Sequence, residues 1–146
     1  MAKGAFAQTI QDWASSGNTV PILYGHNAAD PYMNVAAAVD LSEDDHGLLV
    51  HGKFDDAPAA EQVYSLVKSR RLSQLSFAYD TIDQGPVEVA GGEKANELRQ
   101  VRLYEVSLVP VGANQTTEIL AIKSAPTNRA ATQTLALRLR ILTADT

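Results

Sequence analysis

A proton acceptor that works near neutral pH is most readily built from histidine, and this chain offers His26, His46 and His51. His26 closes the apolar run VPILYGH between Gly25 and Asn27, which reads as a strand end where a glycine leaves room for a substrate; the plain alternative is an exposed or structural histidine. His46 lies in the acidic turn Asp44-Asp45-His46-Gly47 and reads as solvated. His51 alternates with Val50 inside a strand pattern, where a satisfied or exposed ring is the simpler reading. Among the hydroxyls, Ser76 stands between Leu75 and Phe77, and Ser107 has a similar apolar setting. A buried hydroxyl in such a strand needs a partner, and local context does not choose between the two. Carboxylates able to orient an imidazole are plentiful, but Glu105 is the one embedded in the apolar stretch LYEVSLVPV. Burial there is costly unless the carboxylate is paired, so either it faces solvent from the polar side of an alternating strand or a histidine holds it.

Other chemistries fit less well. A metal site from His26, Asp30, His46 and His51 would need a ligand spacing that this chain lacks, and no HExxH helix is present. The glycines of GGEK have neither the spacing nor the hydroxyl of a phosphate-binding loop. No cysteine occurs, which removes disulfides, thiolate metal sites and a thiol nucleophile together. No cofactor is expected.

The elements that must position these residues follow from periodicity. Phe6, Ile10 and Trp13 recur at helical spacing over residues 5–15, and Ser16-Gly17-Asn18 stops the pattern. Short apolar runs follow, VPILYGH, NVAAAVDLSEDD and GLLVHGKF, the last two predicting a hairpin about Asp44-Asp45-His46-Gly47. A second helix is expected from about Ala57 to Lys68, capped by Asp55 or Asp56, with Pro58 in its first turn. QLSFAYDTI and ELRQVRLYEVSLVPV read as strands, and the glycines and proline of residues 83–96 predict a mobile excursion between them. In the tail, residues 125–146, a helix through NRAATQTLALRLR is favoured over the strand that LALRLRIL would also allow. Six or seven strands with intervening helices predict a mainly β fold with α, a small closed or nearly closed β-barrel surrounded by helices.

With 146 residues, 45% of them hydrophobic, one domain with its own core is expected. The formal charge of −5, with Lys68, Arg70 and Arg71 as the one basic cluster, argues against nucleic acid as a partner. No apolar run approaches the roughly 18 residues of a membrane span, and the opening MAKGAFAQTI lacks a secretory apolar stretch. A cytosolic protein without a membrane partner is expected.

Taken in order, KGAFAQTIQDW, VPILYGHN, GLLVHGKF, YSLVKSRRLSQLSFAYD and LYEVSLVPVGAN resemble the tailed-phage prohead proteases, capsid-maturation enzymes related in fold to herpesvirus assemblin. The resemblance covers roughly residues 3–120 and rests on the ordered set rather than on any single motif; it implies a protease domain over residues 1–124. It implies a serine endopeptidase with Ser76 as nucleophile, His26 as general base and Glu105 as orienter of the imidazole, Ser107 being a structural strand residue. His51 stands as the alternative third member, because the herpesvirus relatives use a second histidine there. Gly112, Ala113 and Asn114 are implied as the oxyanion-hole loop. The implied substrates are the scaffold region of the major capsid protein and the protease itself, inside the assembling prohead in the bacterial cytoplasm, and the herpesvirus relatives suggest a homodimer. A catalytically silent assembly module of the same fold is the main alternative; an unrelated small barrel that binds a ligand or peptide is another. The chain departs from the family pattern at Asn27, Ala78 and Gly112, where relatives often carry aspartate, glycine and proline, and it begins close to the Gly4-Ala5-Phe6 segment that an additional strand precedes in relatives.

Overall fold

The computed structural model describes residues 1–89, 91–112, 117–123 and 134–140. In chain order these form α1 (Ala7–Ser16), β1 (Pro21–Tyr24), a 3₁₀ turn (Pro31–Met33), β2 (Asn34–Asp44), β3 (Gly47–Phe54), α2 (Pro58–Lys68), β4 (Gln74–Glu88), β5 (Lys94–Val109), β6 (Glu118–Lys123) and β7 (Thr134–Arg140). The strands make one sheet in the order β4-β5-β1-β2-β3-β7-β6. β1 runs parallel to β5, and the other neighbours are antiparallel.

Apolar residues that alternate along the strands supply the core. Ile22, Val35, Leu48, Val50, Leu75, Val106 and Leu108 are fully buried or nearly so. Helix α2 buries Val63, Tyr64 and Val67, and Tyr64 meets Phe54 of β3 edge-on with ring centres 5.4 Å apart. The helix begins after Ala57 without a side-chain cap, so neither Asp55 nor Asp56 has the expected role, while Pro58 does sit in the first turn. An exposed Lys3–Asp45 ion pair ties the amino end to the β2–β3 turn. Their mutual hydrogen bond and charge hold the lysine above and the aspartate below its ordinary pKa.

Three further expectations are corrected. The sheet is open and is not a barrel surrounded by helices. β4 and β6 are its two edges and share no ladder among the described residues, which contain two α-helices. At the point where closure would need backbone pairing, the hydroxyl of Thr117 instead accepts from Leu75 N–H at 3.0 Å and donates to Leu75 C=O at 3.1 Å. In the tail, residues 134–140 are strand rather than helix: β7 pairs with β3 from Gly47↔Arg140 to Lys53↔Thr134, covering an edge of β3 that would otherwise stay unpaired. The expected mobile excursion at residues 83–96 is mostly ladder, because β4 and β5 pair out to Glu88↔Lys94. Pro86 is tolerated since β4 is an edge strand whose outer side needs no donor, and the Arg99 guanidinium lies within 3 Å of where a Cβ on Gly85 would stand.

β1 has 4 residues and β5 has 16, so the first half of β5 has no strand on its β1 side. The amino-terminal segment takes that place. Ala2 N–H donates to Leu98 C=O and Val101 N–H to Ala5 C=O; Leu103 N–H donates to Thr9 Oγ1 at 3.0 Å, and Trp13 Nε1 donates to Leu103 C=O at 2.9 Å. Helix α1 therefore serves as a strand substitute. Replacing Thr9 by the near-isosteric valine strands the buried Leu103 N–H and should lower stability by about 1–3 kcal/mol. Urea unfolding is the check: Thr9→Ser, which keeps the oxygen, should recover most of the loss, and a valine variant as stable as the parent would contradict the assignment.

Candidate active site

The last residues of β1 carry His26 to its place. Leu23 and Tyr24 lie beside Ser107 and Leu108 of β5, and Gly25 N–H continues the ladder to Leu108 C=O at 3.0 Å. The chain then reverses, with Asn27 N–H directed back to Tyr24 C=O at 3.4 Å. Gly25 has φ 68° and His26 φ 59°, the paired positive angles of a type I′ turn. Glycine takes such a conformation freely; for histidine the left-handed region costs about 1–2 kcal/mol, so something must hold it. Gly25 is thus needed for its backbone angle. A Cβ there would meet nothing within 4 Å.

What holds His26 is β5. Glu105 and Ser107 are two apart and project to one face of the strand, where Glu105 is 6% exposed and Ser107 fully buried. His26 Nδ1 lies 2.6 Å from Glu105 Oε1. Ser107 Oγ donates to Glu105 Oε2 at 2.6 Å and accepts the backbone N–H of His26 at 3.0 Å. These three contacts close a ring in which both carboxylate oxygens, the imidazole and the backbone of His26 are engaged. Short separations of this kind belong to hydrogen bonds with an ionised partner. A carboxylate facing Nδ1 keeps the proton on that nitrogen and leaves Nε2 free to accept another. The His26 side chain is 41% exposed, so its ring can meet a ligand from solvent.

Ser76 stands on the adjacent strand, β4, directly opposite Ser107. Leu75 turns its N–H and C=O outward to Thr117, so by alternation Ser76 and Ser107 form a hydrogen-bonded pair, with Cα atoms about 5.5 Å apart. Ser76 is half-buried, and no described hydrogen bond joins its hydroxyl to His26. Two residues earlier on β4, Gln74 Oε1 accepts the N–H of Gly112 at 2.5 Å, which occupies that donor of the expected oxyanion loop. Ala113 and Asn114 lie outside the described residues.

The other two histidines are elsewhere. His51, the alternative third member, faces Asp40 at 3.3 Å across β2 and β3, with β1 and β2 between its strand and β5. His46 lies in the β2–β3 turn, its ring 3.7 Å from Asp44. Glu105 is therefore the carboxylate that meets His26. Ser107, read from sequence as a structural strand residue, is the member of the cluster that sequence reasoning missed. The signal for it was the spacing Glu105-Val106-Ser107, which sets two polar residues on one face of the otherwise apolar end of β5.

A family model described as caudovirus prohead serine protease matches residues 1–131. No curated protein and no solved structure matches the chain.

The turn itself gives a test. Gly25→Ala forces a Cβ into a positive-φ position that has ample space, so its effect isolates backbone strain. It should cost about 1–2 kcal/mol in urea unfolding, and crowding should contribute nothing. An alanine variant as stable as the parent would mean that the type I′ turn is not retained in solution.

Proposed function

This chain belongs to the caudovirus prohead serine protease family, and from that premise we propose that Ser76 is the nucleophile, His26 its general base and Glu105 the group that orients the imidazole. Membership carries a capsid-maturation protease role, with action in the assembling prohead inside the host. No helix among the described residues is long and apolar enough to cross a membrane.

The observation that carries the assignment is the 2.6 Å contact between His26 Nδ1 and a buried Glu105, one strand away from Ser76. In the proposed reaction Ser76 Oγ attacks the scissile carbonyl while His26 Nε2 takes its proton. Glu105 holds the ring in the productive tautomer and stabilises the imidazolium. His26 then returns the proton to the leaving amine, and water repeats the sequence on the acyl-enzyme. The proposed substrates are the scaffold region of the major capsid protein and the protease itself. Gly112, Ala113 and Asn114 remain the proposed oxyanion loop. In that role Gln74 would have to release the Gly112 N–H or leave the task to its neighbours.

Co-expression with the cognate capsid protein, followed by gel and mass analysis of scaffold cleavage, tests this reading. Ser76→Ala should abolish cleavage and leave the melting curve nearly unchanged, since the Ser76 side chain is half-buried and no described hydrogen bond depends on its hydroxyl. Undiminished cleavage by that variant would end the serine assignment; a parent that never cleaves cognate scaffold would favour the silent assembly module.

The same assay separates the carboxylate from the second histidine. Glu105→Gln should slow turnover by about 10²–10⁴, because the tautomer and the imidazolium lose support. His51→Ala should leave it close to the parent. The reverse ranking would assign the third position to His51.

A further inference from the structure

We propose that Ser107 is a positioning residue of this site, holding His26 and Glu105 in working geometry at once. The proposal rests on the assignment of His26 and Glu105 given above. Ser107 is fully buried, so its hydroxyl cannot meet a substrate directly and acts only through what it touches. Both partners are site residues. Its O–H donates to the Glu105 oxygen that His26 does not use, and its lone pair accepts the His26 backbone N–H.

The two bonds address separate problems. A carboxylate held through one oxygen can rotate about its last torsion; holding both oxygens fixes the direction of the lone pair that His26 Nδ1 meets. A histidine at φ 59° tends to relax toward negative φ; its N–H bond to Ser107 opposes that relaxation and keeps the ring over β5. A hydroxyl is a donor and an acceptor on one atom, which is what both tasks require. Alanine at this position would leave β5 its backbone pairing and leave the core face untouched, yet it would free the ring and the carboxylate together. Misplacement of a reacting group by about 1 Å can cost up to about 10²-fold in rate.

The experiment needs no natural substrate. Diisopropyl fluorophosphate labels an activated serine by forming an Oγ–P bond with loss of fluoride, and peptide mass analysis reads the rate at Ser76. In parallel, long-range ¹H–¹⁵N spectra of uniformly labelled protein report which His26 nitrogen carries the proton, independently of any activity. In the parent the neutral ring should be a single Nδ1–H tautomer. Ser107→Ala, studied well below its melting midpoint, should mix the tautomers and slow labelling by about 10–10². Ser107→Thr, which keeps the Oγ, should restore both. A Ser107→Ala protein that labels at the parental rate and keeps one Nδ1–H tautomer would overturn the proposal. Parent Ser76 that takes no label, or a His26→Ala protein that labels as fast as the parent, would instead count against the catalytic assignment. The tautomer readout would still decide the role of Ser107.

Discussion

A carboxylate buried inside a strand has to be met at both oxygens, or the fold loses several kcal/mol to its desolvation. Glu105 is met by an imidazole on one side and by a neighbouring hydroxyl on the other. That requirement fixes much else. β1 must run parallel to β5 and stop at Tyr24, so that the following turn drops His26 over Glu105. The turn must take two positive φ angles in succession, and the second bond of Ser107 falls on the backbone of the strained residue. Had Glu105 faced solvent, none of these constraints would apply.

The sheet places the remaining residue by register. Ser76, Ser107 and Leu23 lie side by side on β4, β5 and β1, so the row that carries the site crosses three strands at one level. Either side of that row, backbone groups without a strand partner are taken by side chains. Thr9 and Trp13 serve the first half of β5, and Thr117 serves β4. An open sheet can be as well satisfied as a closed one when such groups stand where strands would.

Residues with an unmistakable period were legible in the sequence. Phe6, Ile10 and Trp13 announced α1, and the runs on either side of Asp44-Asp45-His46-Gly47 announced the β2–β3 hairpin. The ordered segments that resemble the prohead proteases directed attention to His26, Ser76 and Glu105, and the first and last of these meet. What stayed hidden depended on neighbours distant in sequence. Gly85 and Pro86 look like a break, yet Gly85 leaves room for the Arg99 guanidinium of the opposite strand and the free edge of β4 accepts Pro86. LALRLR has helical propensity and strand alternation together, and the uncovered edge of β3 decides between them. Ser107 looked like an ordinary strand serine because its value lies in the backbone of His26, 81 residues away.

That separation has a consequence for how the chain acquires chemistry. His26 and Glu105 are 79 residues apart, and the strands that bring them together pair in parallel, the kind of non-local contact that is completed slowly because its loop must close before any bond rewards it. The contact between this imidazole and this carboxylate therefore belongs to the finished topology, because it exists only once β1 has docked on β5 in register.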